Sequence, residues 1–140
     1  MIDRNSVWTG GCLCGSRRYE FEGDPPHSGY CHCNMCKRAT GGAFAVLVQA
    51  RRDKLRWTKE QPGVYRSSPI ATRGFCPECG SPLFLQYDND DLIRLTVGSL
   101  DRPENVQPAG HYGVESRVAW ADIGAGLPEE ETKENPSPRG

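Results

Sequence analysis

Apolar and polar positions change over along the chain in short runs, mostly with a period of two. Arg17-Arg18-Tyr19-Glu20-Phe21 alternates polar with aromatic residues, the pattern of a strand with one buried face. Ala43-Phe44-Ala45-Val46-Leu47-Val48 is a continuous apolar run, which suits a strand buried on both faces. Residues 54–57, 63–66, 81–87, 92–97 and 117–121 read as further strands, and Asp88-Asn89-Asp90-Asp91 as the turn of a hairpin between two of them. Helix signals are weak: one turn after Cys33, and a second where Asp101 would cap Arg102-Pro103-Glu104-Asn105. Short strands at this spacing predict a mainly β fold, a small sandwich or partly open barrel.

Composition narrows this picture. In 140 residues, 16 Gly and 11 Pro accompany an apolar fraction of only 36%. Gly and Pro cost a helix interior roughly 1 and 3 kcal/mol each, which excludes a helical bundle or coiled coil. No run of eighteen apolar residues exists to span a membrane as a helix. The start, Met1-Ile2-Asp3-Arg4-Asn5-Ser6, does not read as a secretory signal, so a cytoplasmic location is expected. The tail PEEETKENPSPRG holds no aliphatic or aromatic residue, so residues 1–127 are expected to form one domain and 128–140 a disordered or extended tail. So little aliphatic mass would benefit from metal staples.

Seven cysteines supply them. All fall in three clusters: Cys12-Leu13-Cys14, Cys31-His32-Cys33-Asn34-Met35-Cys36 and Cys76-Pro77-Glu78-Cys79. An odd number without an export signal argues for metal ligands over disulfides. Cys76 and Cys79 form a tight turn with Gly80 behind it, a specific zinc-knuckle signal that provides two of the four ligands a structural zinc needs. Cys12 and Cys14, flanked by glycines, project from one side of an extended segment and complete the four. Cys31, Cys33 and Cys36 remain. Three ligands from one loop leave a zinc position free, which is what separates a catalytic site from a structural one. A single ribbon made from Cys33, Cys36, Cys76 and Cys79 is the alternative pairing, and would strand the other three. His32, between two of the cysteines, could serve as a fourth ligand or a proton relay, although it would alternate away from Cys31 and Cys33 in an extended segment; His27 and His111 lack ligand-like spacing and are assigned surface or core roles. An open three-thiolate zinc is a good host for a further thiolate, so a thiol is the natural substrate partner.

Charge is balanced overall, formally −1, but uneven along the chain. Residues 37–73 carry nine basic side chains and two acids, whereas 74–131 carry three against eleven. Lys37, Arg38, Arg51 and Arg52 could surround the open site and attract an anion. Trp57 and Tyr65 interleave with this stretch, which keeps open a second reading: a non-catalytic zinc scaffold presenting a basic surface to nucleic acid or a protein partner. The near-neutral total weighs against nucleic acid.

Gly10-Gly11-Cys12-Leu13-Cys14-Gly15, Arg18-Tyr19, the Cys31–Cys36 cluster, Gly41, Arg73-Gly74-Phe75-Cys76-Pro77-Glu78-Cys79-Gly80, Gly98-Ser99-Leu100-Asp101 and the segment from His111 to Trp120 together resemble the glutathione-dependent formaldehyde-activating enzyme (GFA) family, to which centromere protein V also belongs. The likeness runs from about Thr9 to Leu127, with Arg117 where the family more often has lysine. It implies an Mss4-like β fold, a structural zinc on Cys12, Cys14, Cys76 and Cys79, and a labile catalytic zinc on Cys31, Cys33 and Cys36. It further implies carbon–sulfur lyase chemistry joining glutathione, as co-substrate, to formaldehyde or another small aldehyde. No glutathione-binding residues are assigned, and His111 and Trp120 are read as structural.

Overall fold

The computed structural model describes residues 7–24 and 26–133; the N-terminal segment 1–6 and the tail beyond Lys133 lie outside the described residues. Eleven strands and one short α-helix occur among them: β1 Val7–Gly11, β2 Arg18–Glu22, β3 Ser28–Cys31, α1 Asn34–Thr40, β4 Ala45–Arg51, β5 Leu55–Trp57, β6 Gly63–Ser68, β7 Ala71–Phe75, β8 Pro82–Tyr87, β9 Leu92–Thr96, β10 His111–Tyr112 and β11 Glu129–Glu130. They form two open sheets, β1-β2-β5 and β11-β10-β3-β4-β9-β8-β7-β6.

The mainly β expectation holds, and the physical reason is visible in β4. Its apolar run sits centrally, paired with β3 on one side and β9 on the other. Val48 and Ala50 face the small sheet, where they join Ile93 and Leu95 of β9 in a core with Trp8, Tyr19 and Phe21. Leu47 faces the opposite way, with Leu85, Ala71 and the cysteines of the 31–36 loop. A strand with both faces covered needs no alternation. The predicted hairpin is also present, β8 pairing antiparallel with β9 across the acidic turn.

Two expectations are overturned, and three strands were not anticipated. Residues 117–121 are not a strand: the Ala121 amide bonds to the Val118 carbonyl in a turn, and Trp120 is 75% exposed. Asp101 caps no helix. Its carboxylate accepts from Arg18 Nη1 at 2.9 Å and from the Thr9 hydroxyl at 2.6 Å, tying β1 and β2 to the 97–101 segment. Strands β1, β3 and β7 carried no recognisable alternation, since Gly10, Gly29 and Gly74 occupy positions where a neighbour comes close. Of the tail, residues 128–133 run extended, with His111 N–H donating to the Pro128 carbonyl and β11 parallel to β10.

Gly10 shows what close approach demands. A Cβ there would stand 2.4 Å from both the Ser99 carbonyl oxygen and the Tyr19 hydroxyl. Backbone cannot yield cheaply in a close-packed interior. Gly10→Ala is therefore expected to destabilise the fold by about 2–3 kcal/mol through overpacking, whereas Gly98→Ala, which meets nothing within 4 Å, should stay within about 0.5 kcal/mol. Urea denaturation of the two variants checks the contrast.

Candidate metal centres

The seven sulfurs gather into two groups. Cys12, Cys14, Cys76 and Cys79 form one and Cys31, Cys33 and Cys36 the other, each group's ligand atoms lying within 4.8 Å of one another. The single-ribbon pairing is absent. Separations are 3.7 Å for Cys12–Cys14, 3.8 Å for Cys14–Cys76 and 3.4 Å for Cys31–Cys33. These are far beyond a disulfide's bond length of about 2 Å. They match the edge of a sulfur tetrahedron with arms of about 2.3 Å, which is near 3.8 Å. An all-thiolate donor set at that spacing fits zinc, and either cluster could hold a metal ion.

Local backbone brings the four sulfurs together. At the knuckle, Gly80 adopts φ +80° and its amide bonds back to the Cys76 carbonyl. That left-handed turn aims the Cys79 amide at Cys76 Sγ, 3.4 Å away. Across the site, the Arg17 amide points at Cys12 Sγ at 3.3 Å. Burial raises the Cys12 thiol, but this amide, the Ser16 hydroxyl and the neighbouring sulfurs outweigh it and bring it to about 7. Cys79 is pulled to about 5, chiefly by the Ser81 hydroxyl at 3.2 Å. Both shifts favour the thiolate form that binds metal. Ser16 and Ser81, each two residues past a cysteine, are supporting groups that sequence spacing did not single out.

The trio sits where β3 ends and α1 begins. Cys33 is the N-cap of α1, accepting from the Cys36 amide, so the first helical turn folds Cys36 back toward Cys33 and Cys31. All three side chains are buried. Cys31 donates its thiol proton to Cys33. Hydrogen bonds from Cys31 and Cys36 pull Cys33 down to about 2 against its burial, while the same bonds and burial push Cys31 up. Within the trio, the thiolate form is therefore favoured most at Cys33.

Positive charge reaches this centre from an unexpected place. Of the four cations expected nearby, Lys37 bonds to the Ser116 carbonyl, Arg38 lies exposed on α1, Arg51 pairs with Asp53, and Arg52 reaches the Asp90 carbonyl. Arg73, three residues before Cys76 in sequence, instead extends from β7 to place Nη2 at 3.5 Å from Cys36 Sγ. Other arginines of the basic stretch are also paired, Arg56 with Glu20 and Arg66 with Asp88. Trp57 packs against the core rather than offering a free stacking face.

His32 points away from the trio. Its Nε2 lies 2.9 Å from His111 Nδ1, and His111 Nε2 lies 2.8 Å from the Gly124 carbonyl. The carbonyl can only accept, so His111 is protonated at Nε2, and His32 must donate through its own Nε2. His111 also stacks on Tyr30 at 5.0 Å. The pair anchors β10 to the metal loop beside β3. His111→Phe keeps an aromatic ring but orphans a buried donor on His32 and leaves the Gly124 carbonyl with the Leu127 amide alone. A loss of about 2–4 kcal/mol is expected from unsatisfied groups of this kind, against about 0.5 kcal/mol or less for Trp120→Ser. Thermal denaturation of the two variants measures it.

Beside the trio lies a cavity of about 540 Å³, whose wall includes Cys31, Leu47, Leu85, Tyr112 and, from the extended tail, Pro128. No sequence signal announced it, because its lining is assembled from five strands of the large sheet and the 128–133 segment.

Comparison with known proteins accords with this arrangement. The family profile described as glutathione-dependent formaldehyde-activating enzyme matches residues 7–116. An uncharacterized lyase of Schizosaccharomyces pombe is 29% identical over 82 residues, which is 59% of this chain and 59% of that protein, so the chain spans less than two thirds of the relative's length. A crystal structure of a Rhodobacter sphaeroides protein superposes with a TM-score of 0.56 at 26% identity, covering 66% of this chain and 87% of the other. With the profile extending across most of the chain and over all three cysteine clusters, this protein belongs to the glutathione-dependent formaldehyde-activating enzyme family.

Proposed function

We propose that the protein is a zinc-dependent lyase-type enzyme that makes or breaks a carbon–sulfur bond between a thiol, glutathione in the first instance, and formaldehyde or another small aldehyde. Cys12, Cys14, Cys76 and Cys79 would hold a closed, structural zinc, and Cys31, Cys33 and Cys36 an open, catalytic one. The observation that carries the reading is the cavity of about 540 Å³ walled by Cys31, which gives a small molecule access to the edge of a three-sulfur cluster. Family membership and the lyase among the relatives support the same chemistry.

The chemistry a zinc ion supplies at such a site is to keep an incoming fourth thiol as its nucleophilic anion. The chain's own groups do the rest. The hydrogen bonds within the trio favour the thiolate at Cys33 and the thiol at Cys31, and metal loading would release the remaining thiol protons. Arg73 beside Cys36 offsets the negative charge that accumulates when three thiolates share one dication. The apolar walls at Leu47 and Leu85 limit water around the reacting sulfur, which favours adduct formation over hydration.

Two measurements test this. Glutathione and formaldehyde mixed at a pH where the spontaneous reaction is slow should show adduct exchange accelerated by the zinc-loaded protein in NMR; no acceleration removes the activity. Replacing one ligand in each cluster should separate their roles. Cys79→Ser is expected to abolish folding, since structural zinc contributes on the order of 10 kcal/mol, whereas Cys33→Ser should leave a folded chain with one zinc by metal analysis. Equal unfolding of both would make the second centre structural.

A further inference from the structure

Along the floor of the cavity, strand register fixes what lies at each end. Cys31 of β3 stands opposite Ala45 of β4, and four residues along β4, Gln49 stands opposite Arg94 of β9. Arg94 in turn stands opposite Leu85 of β8. At about 3.4 Å per residue, the Arg94 end lies roughly 14 Å from the sulfur end along the strand direction. Leu47 and Leu85 line the space between, and both Gln49 and Arg94 line its wall.

Arg94 is held in place before any ligand arrives. Its Nη1 donates to Asp90 Oδ2 at 2.8 Å, and its guanidinium lies over the Tyr87 ring at 4.9 Å. The bond from Arg94 keeps the Asp90 carboxyl below the usual carboxylate range, so the pair is ionised at neutral pH. Asp90 is not part of the cavity wall, whereas Arg94 is. The other charged pair at the wall, Lys133 with Glu130 at 2.8 Å, places both of its members there and so cancels locally. A guanidinium has five donors in a planar fork, and one edge engaged by Asp90 leaves others for a carboxylate.

We propose that Arg94 is a substrate-recognition residue, binding a carboxylate of the thiol substrate at the end of the cavity remote from Cys31. The preferred thiol then carries an anionic group several bonds from sulfur, joined by a stretch that lies over Leu47 and Leu85. Gln49, directly across the strand pair, supplies an amide to the same group. This rests on the reading of the cavity as the thiol site.

Calorimetric titration of the zinc-loaded protein with glutathione and with glutathione diethyl ester tests it. Wild type is expected to bind glutathione at least tenfold more tightly than the ester, the size of a charge-assisted hydrogen bond. Arg94→Met should lose at least tenfold for glutathione, leave the ester unchanged, and keep its zinc content. Equal affinities of wild type for the two thiols, or unchanged glutathione binding by Arg94→Met, would overturn the role of Arg94 while leaving the thiol site standing. Binding of neither thiol would overturn both. The wild-type comparison decides the matter alone if Arg94→Met does not fold.

Discussion

Sulfur clustering is the constraint on which the rest of this structure depends. Cys14 and Cys76 are 62 residues apart in sequence and their sulfurs 3.8 Å apart in space. Bringing such distant segments together carries a loop-closure cost that a chain of modest apolar content does not readily offset by burial. A dication held by these four thiolates would supply a large local free energy at one point, and would pin the small sheet β1-β2-β5 to β7 and β8 through that point. With the closed cluster fixing one side of the sandwich, the far face of the large sheet is left free to carry a second cluster and a cavity.

The two clusters differ in how the chain builds them. The four-sulfur group draws on two separate turns, each backed by a serine hydroxyl and a backbone amide. The trio comes from one strand-to-helix junction, where the helix cap is itself a ligand-type side chain. A cap that accepts from the Cys36 amide cannot move without unwinding the first turn of α1. This gives a rigid arrangement of three donors, of which Cys31 reaches the cavity wall.

Much of this was legible in the sequence. Cysteine spacing separated four sulfurs from three because Cys-x-Cys and Cys-x-x-Cys turns have few ways to point both sulfurs at one ion, and the continuous apolar run at 43–48 marked the central strand. Pairwise tertiary choices were not legible. Arg73 lay within the basic stretch but nothing in its neighbourhood distinguished it from Arg51 or Arg66; only the register of β7 against β8 sends it toward Cys36. Asp101 has the residue type and position of a helix cap, yet Arg18 and Thr9, more than eighty residues earlier, claim its carboxylate. The two-residue strands β10 and β11 are parallel partners specified by long-range docking, and no local pattern of two residues could reveal them.

The extended segment 128–133 lies beyond the stretch matched by the family profile, yet Pro128, Glu130 and Lys133 stand in the wall of the cavity. Its attachment is mostly through main chain: the Pro128 carbonyl receives the His111 amide, and the Thr132 and Lys133 amides reach Glu115 and the Tyr112 hydroxyl. Main-chain anchorage tolerates side-chain exchange. Side-chain exchange in this ribbon can therefore reshape the cavity wall without disturbing either cluster.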